Sequence, residues 1–185
     1  IDGDDDGDGI ADEDEGKEQP NIIKKITRYQ YNQYVGIPTE ITVNDSQDIT
    51  LKTKQYYVDG YITEDPQAMY RTKLFGKFII NNPYKKERFK NNILLSTQKI
   101  NYRHWDNNIV LPKTIQTSKG TAPLEDRIVY HKYDDKGNPV EISKKDGTHV
   151  VYIWGYNHSQ PIAKIENCTY DELMRYNYNS GKAIL

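Results

Sequence analysis

The chain is poor in the residues that staple or span. It has one cysteine, Cys168, and only two methionines, two tryptophans and three phenylalanines among 185 residues. A lone cysteine excludes an internal disulfide framework, although export does not require one. No run of eighteen apolar residues occurs, so no segment reads as a membrane span. No signal-peptide pattern is present, yet the chain opens inside a motif without an initiator methionine, and it reads as a fragment of a longer polypeptide. No nucleophile elbow surrounds any serine, which leaves a hydrolytic triad without sequence support.

The formal net charge of −2 hides a division. Residues 1–18 hold ten acids and one lysine, a net of −9, and the remainder carries +7. A charge of +7 spread over the remaining residues is too mild to read as a nucleic-acid surface. The densest basic run, Lys85 to Lys90, reads as a solvated strand face. The acidic stretch has a pattern. Asp4, Asp6 and Asp8 alternate, Gly9 follows, and Asp12 and Glu15 come next. A calcium loop needs six to eight oxygens at this spacing and a glycine where the chain turns back on the ion. Asp4, Asp6, Asp8, the Ile10 carbonyl, Asp12 and Glu15 are the expected Ca2+ ligands. The competing reading is an acidic, disordered tail. A helix-flanked EF-hand fits less well, because Pro20 closes off a following helix. The expected division is a calcium-binding linker at 1–19 and a β segment at 20–185.

Beyond residue 20 the apolar residues alternate. Strands are expected at Ile22–Tyr34, Ile41–Val58, Phe78–Phe89, Ile93–Tyr102, Arg127–Tyr133, Val140–Ser143 and Thr148–Trp154. Polar turns separate or interrupt them, the strongest being Asp146-Gly147. Two short helices are expected. Asp65 reads as an N-cap with Pro66 at the first helical position and Gly76 as the stop, and Ala68, Met69, Thr72 and Phe75 face inward. Thr169 and Glu172 form a capping box ahead of a second helix with Leu173, Tyr176 and Met174 inside.

A repeat runs through the chain. Tyr31 precedes Pro38, Trp105-Asp106 precedes Pro112, Tyr133-Asp134 precedes Pro139, and Trp154 precedes Pro161. The aromatic and the proline are six or seven residues apart each time. Each unit reads as strand, polar turn, and a strand opening at proline, where no ladder donor is needed.

Two resemblances follow from these residues. Asp4, Asp6, Asp8, Gly9 and Asp12 resemble the Asp-rich loops of thrombospondin type 3 repeats, which implies a structural calcium site in an extracellular linker. The stretch Tyr130-His-Lys-Tyr133-Asp134-Asp-Lys-Gly137-Asn138, with Gly147 ten residues on, resembles a YD repeat. YD repeats characterise Rhs proteins and toxin-complex shells. The segment from Tyr152 to Tyr170 is similar to parts of large Rhs-like exported bacterial proteins. The Tyr31 unit departs from the motif with Asn32 in place of aspartate, and the Trp105 unit lacks the turn glycine.

The resemblance implies a mainly β fold of antiparallel hairpins forming a curved sheet, with one or two short helices. It implies a non-enzymatic scaffold or shell segment on the extracellular side of a bacterium, secreted or at the cell surface. Its partner would be the remainder of the same longer polypeptide. The alternative is a carbohydrate- or protein-binding module using exposed tyrosines and tryptophans, with a cell-surface glycan or protein as partner.

Other constellations carry less. His131 and His149 lie on strands that could pair, either as surface residues or as a two-histidine metal site. His104 stands beside Trp105 and Asp106. Cys168, just before a helix, reads as a packing residue. Glu125 and Asp126 have no evident partner. Asn167-Cys-Thr169 fits a glycosylation acceptor, which would matter only in a eukaryotic secreted chain.

Overall fold

The computed structural model describes residues 24–32, 36–58, 65–77, 79–106 and 109–180. The expected calcium ligands and the boundary at residue 20 lie outside them. Ten strands form one open antiparallel sheet in strict chain order. They are β1 (Ile26–Tyr31), β2 (Pro38–Asn44), β3 (Thr50–Tyr56), β4 (Lys85–Lys90), β5 (Ile93–Trp105), β6 (Ile109–Lys119), β7 (Glu125–Tyr133), β8 (Pro139–Lys144), β9 (His149–Gly155) and β10 (Gln160–Glu166). Helix α1 (Ala68–Gly76) falls between β3 and β4, and α2 (Tyr170–Ser180) follows β10.

The turns explain the strand boundaries. The expected strand Ile41–Val58 is two strands, because Asp45 folds the chain back. Its Oδ1 accepts the Gln47 and Ile49 N–H groups, both at 2.9 Å. The Asp134 turn repeats the device, with Oδ1 accepting Lys136 N at 3.0 Å and Asn138 N at 2.7 Å. The fourth residue of each turn has positive φ: 57° at Asp48 and 86° at Gly137. Gly147, at φ 83°, does the same between β8 and β9. These are the left-handed positions where a β-branched side chain is most costly. The expected strand Phe78–Phe89 starts only at Lys85, after Pro83, which has no ladder donor. The expected Ile22–Tyr34 is described as strand only over Ile26–Tyr31.

Proline opens β2 and β8 as expected, and is the second residue of β10. In β6 it is the fourth residue, so the expectation of a proline-initiated strand fails there. Tyr31, Tyr133 and Trp154 each lie opposite their proline, but Pro112 lies opposite Tyr102, not Trp105. A register shift accompanies each of these four pairs. An extra residue in one strand lets the ladder step past a proline, and it bends the sheet.

Two small apolar cores sit under the helices. Leu74 of α1 packs with Val58, Tyr102 and Val110, with Tyr70, Tyr84 and Ile100 around them. The inner face of α1 differs from expectation. Met69 and Phe75 are exposed, and Ala68, Arg71 and Leu74 are buried. Arg71 is received in this place by Asp65 at 2.9 Å and the Tyr84 ring at 4.4 Å. Asp65 and Pro66 precede the helix as a turn instead of forming its first positions. The Asp65 carboxylate accepts Gln67 N at 2.9 Å, and its main-chain carbonyl accepts Ala68 N at 2.8 Å. Gln67 then accepts the Tyr102 N–H, freed at the β5 bulge, at 2.7 Å.

The second core joins Val151, Ile153 and Leu173, with Ala163, Ile165, Cys168 and Tyr170 packed on it. Helix α2 opens on the expected capping box: Glu172 Oε2 accepts the Thr169 N–H at 2.8 Å, and Thr169 Oγ1 accepts the Glu172 N–H at 3.3 Å. Leu173 faces inward as expected, but Tyr176 and Met174 do not. On the β1 side of the sheet, β2 to β4 carry a polar ladder. Lys52 meets Glu40 at 3.6 Å, Lys85 meets Glu87 at 2.7 Å, and the Tyr56 hydroxyl donates to Glu87 at 2.7 Å. Burial and that carboxylate push Tyr56 up to about 12.

Candidate functional site

Three places gather polar or aromatic chemistry. The first joins the tips of the β7–β8 and β9–β10 hairpins. Tyr156, Asn157 and His158 all have positive φ, at 51°, 56° and 62°. Three consecutive left-handed residues without a glycine are held by their bonds. The Ser159 hydroxyl donates to the Tyr156 carbonyl at 2.7 Å, and Asn138 Nδ2 donates to the His158 carbonyl at 2.8 Å. This turn places His158 Nδ1 2.8 Å from Asp134 Oδ2 and 3.9 Å from Asp135.

Asp134, Asp135 and His158 are close enough for one cation. Yet Asp134 already accepts four donors: Lys136 N, Asn138 N, Asn138 Nδ2 and His158 Nδ1. Burial alone would raise its carboxyl. The donors from His158, Asn138 and Lys136 outweigh burial and hold it below the usual carboxylate range. An ion there would have to displace these bonds, and the carboxylate serves first as the pin between two turns.

The second place is polar and lies where α2 begins. The rings of His131 and His149 stack at 4.9 Å. His131 Nε2 is 2.8 Å from the Ser143 hydroxyl, and Glu141 Oε1 accepts from His149 Nδ1 at 2.6 Å. The other Glu141 oxygen accepts the Tyr170 N–H at 3.3 Å, tying this cluster to the helix start. Burial lowers the basicity of His131, Glu141 opposes the change, and His149 adds to it. Ser143 and Glu141 engage different imidazoles, and Ser143 is buried, so the group lacks the nucleophile–base–acid line through one ring. The sequence reads both histidines on strands that could pair with each other; instead β7 and β9 each pair with β8, and the two rings meet across it. Nothing in the sequence signals Glu141 and Ser143, whose i, i+2 spacing on β8 acquires meaning only with the register.

The third place is aromatic. Most of the repeat aromatics are spent inside the sheet. Tyr130 and Tyr133 stack at 5.4 Å, and Trp105 meets Tyr133 edge-on at 4.8 Å. The Tyr133 hydroxyl donates to the Pro112 carbonyl at 2.9 Å, Trp154 Nε1 to the Pro139 carbonyl at 2.9 Å, and Trp105 Nε1 to the Leu111 carbonyl at 3.3 Å. Burial, then Tyr130 and Tyr102, push Tyr133 far above the ordinary tyrosine range. Asp106 stands beyond the end of β5, in the pocket lined by Arg103, Trp105 and Tyr133. Pro161, on the last strand, is exposed.

The exposed aromatics are elsewhere. Tyr29 and Tyr31 on β1 are 52% and 58% exposed, with ring centroids 6.2 Å apart and planes tilted by 32°. Strand β1 is an edge, and among the described residues no strand pairs with its outer side. Tyr156, Tyr176 and Tyr178 are exposed as well, but on a turn and on α2. His104 stands beside Lys73 and the Tyr70 ring, and Glu125 pairs with Arg127 and Lys145. Cys168 is half-buried against the second core, as a packing residue. Among the described residues no helix is long and apolar enough to cross a membrane. No protein-family model and no curated protein matches the chain.

Proposed function

We propose that this chain is a non-catalytic binding module of an exported YD-repeat protein, and that it takes an extended polypeptide as an added strand along β1. The observation that carries the reading is the contrast between its aromatics. The tryptophans cap backbone carbonyls within the sheet. Tyr29 and Tyr31 are exposed side by side on an edge strand. An unpaired edge offers main-chain donors and acceptors for affinity, and flanking tyrosines supply contact area at low entropic cost. Glycan stacking needs aromatic rings but no sheet edge, so the edge favours a polypeptide.

Export to the extracellular side of a bacterium is supported by the motif Tyr130 to Asn138 and by the Asp-rich segment. In the same reading Asp4, Asp6, Asp8, Ile10, Asp12 and Glu15 hold Ca2+, which offsets the −9 charge of residues 1–18. Extracellular loops of this composition bind at dissociation constants of order 10⁻⁴–10⁻³ M. Asp8→Ala removes a central ligand, and calorimetry should then show no calcium heat. Equal heats for wild type and variant would remove the ion from the reading.

Peptides selected by phage display on the full chain test the binding site. They should alternate apolar and polar residues, lose binding to the Tyr29→Ser, Tyr31→Ser double variant, and slow hydrogen exchange at β1 amides. A glycan that binds through the same tyrosines without protecting β1 amides would replace this reading with the sugar-stacking one.

A further inference from the structure

The repeat prolines are linked by a contact that recurs along the sheet. The Pro38 carbonyl accepts from Gln55 Nε2 at 3.2 Å, the Pro112 carbonyl from the Tyr133 hydroxyl at 2.9 Å, and the Pro139 carbonyl from Trp154 Nε1 at 2.9 Å. Each donor lies near the C-terminal end of an odd-numbered strand, and each proline lies in the even-numbered strand before it. The fourth proline, Pro161 of β10, has no side-chain donor among the described residues, and no strand follows β10 in the sheet. At the opposite edge, Tyr31 closes β1 in the place that Tyr133 and Trp154 occupy on β7 and β9. Its hydroxyl has no partner among the described residues. One edge carries the acceptor of the recurring contact, and the other carries the donor.

We propose that β10 of one copy of this chain receives β1 of a second copy, head to tail, with the Tyr31 hydroxyl donating to the Pro161 carbonyl. The inference names the polypeptide of the preceding reading and rests on it. Strand direction fits, because β10 is even-numbered and every odd-numbered strand runs antiparallel to it. Register fits as well. In the β8–β9 pair Glu141 lies opposite Val151 and Ser143 opposite His149, with Trp154 reaching Pro139. The same offset with Tyr31 and Pro161 sets Ala163 opposite Arg28, Ile165 opposite Ile26, and Glu166 opposite Lys25. It also sets Ile162 opposite Tyr29, two apolar side chains that are 56% and 52% exposed in the single chain. Covering both removes apolar surface from water, and a slip by one residue would set Tyr29 opposite Pro161 or Ala163 instead of Ile162. A contact between two different edges leaves a free edge at each end, so association continues past the dimer.

Sedimentation of the full chain up to about 1 mM tests this, a range that detects weak association. Two edge variants accompany the wild type: Tyr29→Lys with Tyr31→Lys blocks β1, and Ile162→Lys blocks β10. All of these side chains are exposed, and circular dichroism verifies the fold of each variant. Wild type should form a concentration-dependent series beyond the dimer. Each variant alone should be monomeric, and their mixture should stop at a one-to-one dimer. Tyr31→Phe, which keeps the ring, should weaken association roughly two- to tenfold, the worth of one neutral hydrogen bond. A monomeric wild type, or a dimer that both blocks leave intact, would overturn the inference. If the wild type is monomeric while selected peptides still protect β1, only the head-to-tail partner is lost. If β1 is also unprotected, the binding reading falls with it.

Discussion

Removing the Asp134 carboxylate should unfasten two hairpins at once. Its side chain is only 8% exposed and accepts four donors, two from the backbone of its own turn and two from the Asn138 and His158 side chains. A hydrogen bond to a charged group contributes about 1.5–3 kcal/mol, but bonds sharing one acceptor do not add. Asp134→Ala leaves the Asn138 N–H, the shortest of the four, without its partner and frees the His158 turn. The expected loss is about 2–4 kcal/mol. Asp134→Asn keeps an oxygen for the Lys136 and Asn138 N–H groups but loses the charge and turns an N–H₂ toward His158. It should cost about half as much, roughly 1–2 kcal/mol. The pH dependence has a definite sign. The folded carboxyl titrates lower than the unfolded one, so its stabilisation is complete above the unfolded value of about 3.9 and fades as pH falls through the lower folded value. Urea midpoints for wild type and both variants, at neutral pH and below pH ~4, check this. The variants should lie below wild type at neutral pH, and the gap should narrow in acid. Equal midpoints at neutral pH would refute the view of Asp134 as the pin between turns.

Gly137→Val and Gly147→Val should each cost about 1–3 kcal/mol through their positive φ; an added Cβ meets open space at Gly147 and ordinary contact with the Leu111 side chain, at 3.5 Å, at Gly137. Because both turns flank β8, the double variant should depart from additivity in urea melts. Replacing Asp48, the non-glycine residue at the corresponding position of the β2–β3 turn, by glycine should stabilise the fold by less than about 1 kcal/mol, read as a slightly higher urea midpoint. Leu173→Ala should cost about 2–4 kcal/mol, measured by urea melts, because Leu173 is the one buried α2 residue in the second core.

Strands and turns were readable because their signals are local. Alternation located most of the strands, and Asp134, Gly137 and Asp146-Gly147 announced turns through residue types that satisfy or permit special backbone geometry. Thr169 and Glu172 announced α2 in the same way. What was not legible depends on register. Spacing assigns Pro112 to Trp105, but the bulge at Tyr102 sets Tyr102 opposite it. The inner face of α1 departs from apolar spacing because an arginine, Arg71, takes a core position where Asp65 and Tyr84 receive it. Helical spacing counts apolar residues and cannot foresee that pairing. His131 and His149 were visible as a pair, but their carboxylate and hydroxyl neighbours came from the intervening strand.

The strictly sequential strand order also governs how the sheet bears load. The edge strands β1 and β10 are the first and last of the described strands, so tension applied from either side of them along the chain reaches the sheet at its two edges. Force applied there pulls across the strands and breaks one ladder at a time, as in a zipper. A crossover between distant strands would make many ladders yield together, and no such crossover links the described strands. Stretching should therefore release the chain in a staircase of small extensions at low force, and relaxation should let neighbouring strands rejoin one after another, as in other proteins built from nearest-neighbour contacts.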